Sequence, residues 1–362
     1  MTLHLRHHFK NCANCLLALL FLLAAAGAFL RPQAAMAGAL QGMATCAHAV
    51  IPTLFPFLVL SGLILSGPLA QWAGFALRPF TKLLGIRSKK APAALLCGLL
   101  GGFAPGARAV GQLRRQNELS AAEAECLLVG AVCSGPAFVV GSVGTAMLGS
   151  RSSGWILYLC QAGAGLLCAL IFRPKPPVCL TRSSAAAAAS PQPCGLAQAV
   201  ADSVHATALL CGYIVLFSFL AAVATPADAP PAAQYAVLLG MEVTSACHAA
   251  STVPWSGKIY LCAAAISLMG ASVFVQVRAF AGPQVSLRAL AAARFLHLPA
   301  TLALVWAALR LFPGAAPAAV PAGGWTPAIR MPADALCAVF ILCALAFGVK
   351  KPGRLHRRKN RV

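Results

Sequence analysis

The chain is poor in charge and poorer still in acid. Of its 362 residues only 10% are charged, and just seven are Asp or Glu. A soluble protein keeps about a quarter of its residues charged to stay dispersed in water. No such exterior can be built from this composition. The short alternating strands of a membrane β-barrel are missing too. So are the sequence signatures of common catalytic machinery. There is no Walker A pattern, no G-x-S-x-G elbow and no H-E-x-x-H. These absences argue against ATP hydrolysis, serine hydrolysis and zinc peptidase chemistry. We therefore expect no enzyme, no catalytic residues, no bound metal and no cofactor. The lone C-x-x-C, Cys12 to Cys15, has no second pair to complete a zinc site and reads as structural. The remaining cysteines of the 15 are scattered through apolar segments as small hydrophobes.

What is present is apolar, at 60% of residues, and it comes in long runs. Segments 12–30 and 154–172 are each 19 residues without a charge. About 20 such residues match a hydrocarbon core of about 30 Å. Lipid offers no partner to backbone N–H and C=O groups, so helices are the way to cross it. The fold expected is all-α, a polytopic transmembrane helical protein with about 8–10 membrane segments. Apolar segments fall at about 12–30, 48–67, 91–107, 124–149, 154–173, 203–224, 233–249, 259–281, 293–312 and 333–349, some of them re-entrant candidates.

The net charge of +21 sits in loops and tails, at Arg87 to Lys90 and at 350–361. On a soluble protein it would suggest nucleic acid. Here it reads as the basic bias of cytoplasmic membrane loops, with no nucleic-acid partner. The partners expected are the lipid bilayer and a small anionic solute, and a homo-oligomer or a partner membrane protein is compatible. Ala35 to Ala37 resembles a signal-peptidase site. The length of the first run favours an uncleaved membrane helix.

The divisions expected are an N-terminal helix (1–37), a first repeat (38–173), a Pro/Ser/Ala-rich linker (174–194), a second repeat (195–312), and a C-terminal helix with a basic tail (313–362). The two repeats look alike in outline. Leu99-Leu100-Gly101 and Leu238-Leu239-Gly240 lie 139 residues apart, and Gly135 and Gly270 lie 135 apart. Each repeat has a helix interrupted near its middle, at Ser134-Gly135-Pro136 and at Met269 to Ser272. Inverted topology is one arrangement open to such a pair.

Paired interrupted helices point to a transporter site. A break frees backbone polar groups at membrane depth, and these persist only where they line a cavity or bind something. The candidate substrate residues follow from this. Ser134, Gly135 and Pro136 form the first break, and Gly270, Ser272 and Gln276 belong to the second. Pro105, Gly106 and Arg108 form a Gly/Pro-rich turn with a cation. Glu242 is an acid inside an apolar segment, with Thr244 and Ser245 beside it, and such a residue is a functional candidate by default. Arg294 and His297 share a face of the following helix.

The motifs resemble those of the YlbJ-type sporulation integral membrane proteins with a nucleoside-recognition (Gate) domain. The resemblance rests on residues 51–64 (IPTLFPFLVLSGLI), 101–128, 134–149 (SGPAFVVGSVGTAMLG), 240–250 (GMEVTSACHAA), 266–280 and 294–297. It covers most of the chain in the family's order. It implies transport around the developing endospore, with dipicolinate as cargo. A nucleoside or other organic-anion transporter is the nearest alternative, and a non-transporting scaffold or gate subunit in spore assembly is another. The family tends to carry asparagine in the break where Cys133-Ser134-Gly135 stands, and a tyrosine or similar after Gly102. These departures bear on the substrate more than on the fold.

Overall fold

The computed structural model describes residues 22, 24–66, 72, 74–174, 195–225 and 228–315, and every described element is helical. The linker, the segment at 333–349, the basic tail and the Cys12/Cys15 pair lie outside these residues. Helix α1 (Pro32–Thr45) runs through a π turn (Cys46–Val50) into α2 (Ile51–Ser66), and α3 (Arg78–Leu83) follows. The first repeat contains α4 (Ala91–Gly101), α5 (Phe103–Arg115), α6 (Ala121–Ala131), a π-helical segment (Ala137–Met147) and α7 (Arg151–Ile171). The second contains α8 (Leu196–Ala224), α9 (Pro231–Met241), α10 (Val243–Ser251), α11 (Lys258–Leu268), α12 (Gly270–Ala281) and α13 (Arg288–Leu311).

The order of elements repeats. Each repeat has two short helices around a break, two more around a second break, then one long helix. The first pair in each repeat is a hairpin. Lys90, just before α4, forms an ion pair with Glu118, just after α5, at 3.0 Å. Gly98 and Gly106, four residues either side of Gly102, both press against the carbonyl of Ala131. The chain therefore turns back at Gly102, whose φ of +93° suits glycine. Small residues let the arms approach this closely. In the second repeat the Tyr235 hydroxyl on α9 donates to the Leu261 carbonyl at 2.7 Å, and Cys247 on α10 meets Cys262. Residues seven before and five after Glu242 thus sit at neighbouring levels of α11. The apolar segments at 91–107 and 233–249 are accordingly hairpin arms rather than crossings.

The second pair in each repeat is a broken rod. Residues 258–281 count as one candidate span, beside 151–171, 196–224 and 288–311, four helices long and apolar enough to cross a bilayer among the described residues. Between α5 and α6 the chain turns through Asn117 at φ +57°. Ser120 then caps α6 in a capping box: its hydroxyl accepts from the Glu123 N–H at 3.2 Å, and the Glu123 carboxylate accepts from the Ser120 N–H at 2.8 Å.

The hairpins open on opposite faces of the molecule. The α12 end lies on the face of the first hairpin's base, where a Cβ on Gly282 would come within 3.3 Å of Arg115 Nη1. The start of α7 and the end of α13 share the other face, with Ser153 Oγ donating to the Ala315 carbonyl at 2.6 Å. The second hairpin opens there. The two repeats are therefore of inverted topology.

Candidate functional site

Four breaks, rather than two, meet near the centre. The first hairpin breaks at Gly102, and the rod after it at Val132 to Pro136. The second hairpin breaks at Glu242, and its rod at Met269, where φ is +70°. Within each repeat the two breaks touch. A Cβ on Gly102 would lie 3.0 Å from the Gly135 nitrogen, and one on Gly270 would lie 3.0 Å from the Glu242 nitrogen.

Side chains satisfy the freed backbone groups. In the first repeat Gln161 of α7 grips both sides of the Ser134 peptide. Its Oε1 accepts from the Ser134 N–H at 3.2 Å, and its Nε2 donates to the Ser134 carbonyl. The Tyr158 hydroxyl donates to the Leu99 carbonyl at the end of α4, at 3.0 Å. In the second repeat Glu242 caps α10. One carboxylate oxygen accepts from the Thr244 N–H at 3.0 Å and the other from the Ser245 N–H at 2.6 Å. Glu242 is thus a buried helix cap at a chain break, not a residue within a helix.

Arg294 joins the repeats. It is 4% exposed. Its Nη2 donates to the Val132 carbonyl at 3.1 Å and its Nη1 to the Ser267 carbonyl at 3.4 Å. These carbonyls lie at the C-terminal ends of α6 and α11. Each end carries roughly half a negative charge, so two together offset a buried guanidinium that has no carboxylate partner among the described residues. Three residues on, His297 Nε2 donates to the Gln161 carbonyl at 3.0 Å, and its Nδ1 accepts from the Thr301 hydroxyl at 3.3 Å. Arg294 and His297 share a buried face of α13 that ties it to α6, α7 and α11, and neither lines the cavity described next.

A cavity lies where the breaks converge. The first turns of three half-helices reach it, with Gly102 and Phe103 of α5, Ser134, Gly135 and Phe138 at the π-helical segment, and Glu242 and Thr244 of α10, while α12 contributes Val273 and Gln276 from further along its length. Apart from Thr45 of α1, its other walls are apolar, with Leu54, Leu210 and Ile214 from α2 and α8.

Of the residues singled out from sequence, Ser134, Gly135, Glu242, Thr244 and Gln276 line this cavity. Pro136 begins the π-helical segment just behind it. Ser245 and Gly270 support Glu242, and Ser272 Oγ accepts from Gln276 Nε2 at 2.8 Å. Pro105 and Gly106 are buried packing residues in α5. Arg108 lies outside the cavity lining and pairs with Asp202 of α8 at 3.4 Å. It was expected as a counter-charge at an unwound turn. It sits instead a turn and a half along a regular helix, too far from Gly102 to face the break. Gln161 was not singled out from sequence. Its signal was available, as the one amide side chain in the apolar run 154–172.

Among curated proteins, the chain is similar to the sporulation integral membrane protein YlbJ of Bacillus subtilis (strain 168), at 29% identity over 223 residues. The match covers 56% of this chain and 55% of that protein, so the chain spans about half the length of the relative it matches. No family model matches, and no solved structure matches. Together with four helices long and apolar enough to cross a bilayer, this similarity supports a YlbJ-type, multi-pass integral membrane protein.

Proposed function

We propose that the protein carries a small anionic solute across a bilayer by alternating access around the central cavity. One observation carries the reading: the N-terminal turns of three half-helices, those of α5, the π-helical segment and α10, meet α12 at one cavity. An uncapped helix N-terminus carries about half a positive charge and unpaired N–H groups. The start of α5, at the cavity, has no side-chain cap. A carboxylate is the natural guest at such ends. The inverted repeat supports alternating access, because each half can adopt the conformation of the other.

The relative's name places that protein in sporulation, and we extend a sporulation role to this chain. Dipicolinate, the cargo implied by the family resemblance, is the first solute to test. The apolar walls with Phe103 and Phe138 suit a flat ring. The chain acts on this reading as a carrier rather than an enzyme.

The test is uptake of labelled dipicolinate into proteoliposomes holding the purified protein, with uridine and empty liposomes as controls. Saturable dipicolinate uptake supports the reading. Uridine uptake alone would move it to nucleosides. Uptake of neither by folded protein would favour a scaffold or a gate subunit.

A further inference from the structure

The cavity proposed to receive an anion also holds an acid. Glu242 lines it and is 2% exposed. No Lys, Arg or His is among the lining residues, and Glu242 makes no ion pair among the described residues. The elements around it bring no compensating charge. Helices α2 and α8 present Leu54, Leu210 and Ile214, and α12 presents Val273 and Gln276. Cys46 of the π turn and Cys247 of α10 lie within reach of the carboxylate's charge, but their thiols donate to the Cys211 and Cys262 carbonyls. Arg294 of α13 is turned to the Val132 and Ser267 carbonyls. What offsets Glu242 is the start of α10, where it accepts from the Thr244 and Ser245 N–H groups.

The charges do not balance once a solute is bound. Each of the three helix N-termini at the cavity supplies roughly half a positive charge. A dicarboxylate beside an ionised Glu242 sets roughly three negative charges against about one and a half positive. A monocarboxylate still leaves negative charge in excess. Buried charge without a partner is costly, and a cation arriving with the solute removes the excess. Glu242 can take it. A carboxylate has about four lone-pair sites, and α10 uses one on each oxygen. We infer that the protein is a symporter, in which each anionic solute enters the cavity with a monovalent cation, a proton or an alkali ion, bound at Glu242. The inference rests on the carrier reading above and adds the coupling ion to it. The effect is reciprocal: the cation tightens solute binding, and the solute tightens cation binding by the same factor.

The experiment titrates the purified protein, in nanodiscs of neutral lipid, with pyridine-2,6-dicarboxylate by calorimetry. The buffers hold sodium chloride or choline chloride at equal ionic strength, each at about pH 6 and about pH 8, a range in which carboxylates of ordinary strength stay ionised. Affinity in choline at the higher pH is expected to be at least about tenfold weaker than in one of the other buffers. Tightening by sodium assigns an alkali ion, and tightening by acid alone assigns a proton. Glu242→Gln should bind the dicarboxylate in choline at the higher pH at least as tightly as the unmodified protein does, with the dependence on sodium and acid gone. Loss of a helix cap alone would instead weaken binding in every buffer. Glu118→Gln, at an acid outside the cavity lining that pairs with Lys90, should keep the dependence. The inference is overturned if the unmodified protein binds equally in all the buffers. It is also overturned if the dependence survives Glu242→Gln, which would assign it to another group such as His248 of α10. Dicarboxylate uptake with no cation dependence would defeat the inference and leave the carrier reading standing. Neither binding nor uptake by folded protein would defeat the carrier reading itself, and the inference with it.

Discussion

Arg294 on α13 donates to the carbonyl of Val132, 162 residues earlier in the chain, at 3.1 Å. A side chain of the second repeat thereby closes a break in the first. The same guanidinium reaches Ser267 in its own repeat. Hydrogen bonds to a charged group contribute about 1.5–3 kcal/mol each. Arg294→Met should lower the melting temperature of the purified protein and speed amide exchange at the ends of both α6 and α11. Arg294→Lys keeps the charge but not the planar fork, so it should restore one of the two contacts. Exchange that changes in one repeat only would contradict the bridging role.

Glu242 holds the start of α10 through two N–H groups. Loss of a helix N-cap costs about 0.5–2 kcal/mol. Glu242→Ala should therefore loosen the first turn of α10, seen as faster exchange at Thr244 and Ser245, with α9 little affected. Glu242→Gln retains one acceptor and should fall between. Equal exchange in all three proteins would mean that α10 is held by packing alone.

The glycines at the crossings test the hairpin geometry. A Cβ at Gly270 would meet Met241 backbone at 2.9 Å, and φ there is +66°. A Cβ at Gly135 would meet the Gly102 nitrogen at 3.1 Å. Gly135→Leu and Gly270→Leu should abolish uptake of any transported solute, even in protein that inserts normally. Gly141, with open space around its Cβ position, is the control, and Gly141→Ala should transport as the parent does. Full transport by both leucine variants would sink alternating access around the breaks.

Much of this arrangement was legible in the residues. Length and apolarity gave the all-helical membrane fold, and Gly135-Pro136 and Gly270 located one break in each repeat. The other two breaks were harder to see. At Gly102 the chain carries no proline at the turn itself, and Pro105 three residues on drew the reading toward a helix end. At Glu242 the surrounding apolar run 233–249 carries no proline, so the acid looked embedded in a helix. The turn there is set by packing of Tyr235 and Cys247 against α11, a tertiary cause that local propensity does not record. Arg108 misled for a related reason. A cation next to Gly and Pro resembles an anion site, yet its partner Asp202 lies 94 residues away in sequence.

The inverted topology predicts which loops face which compartment. The face holding the base of the first hairpin carries Arg87, Lys89, Lys90, Arg114, Arg115 and Arg288. The opposite face carries Arg151, Lys258 and Arg310. Basic loops stay on the cytoplasmic side, so the first hairpin should open to the cytoplasm and the second away from it. Protease sites inserted at the Asn117 turn and between Gly282 and Leu287 should be cut only from the cytoplasmic side. Sites inserted at Gly149 and at Ser256 should be cut only from the other. Were the second hairpin a crossing, the Ser256 site would lie on the cytoplasmic side with Asn117, because each extra crossing reverses every loop after it. Cleavage at Asn117 and Ser256 from the same side would therefore remove the inverted repeat, and with it the symmetry on which exchange between two access states depends.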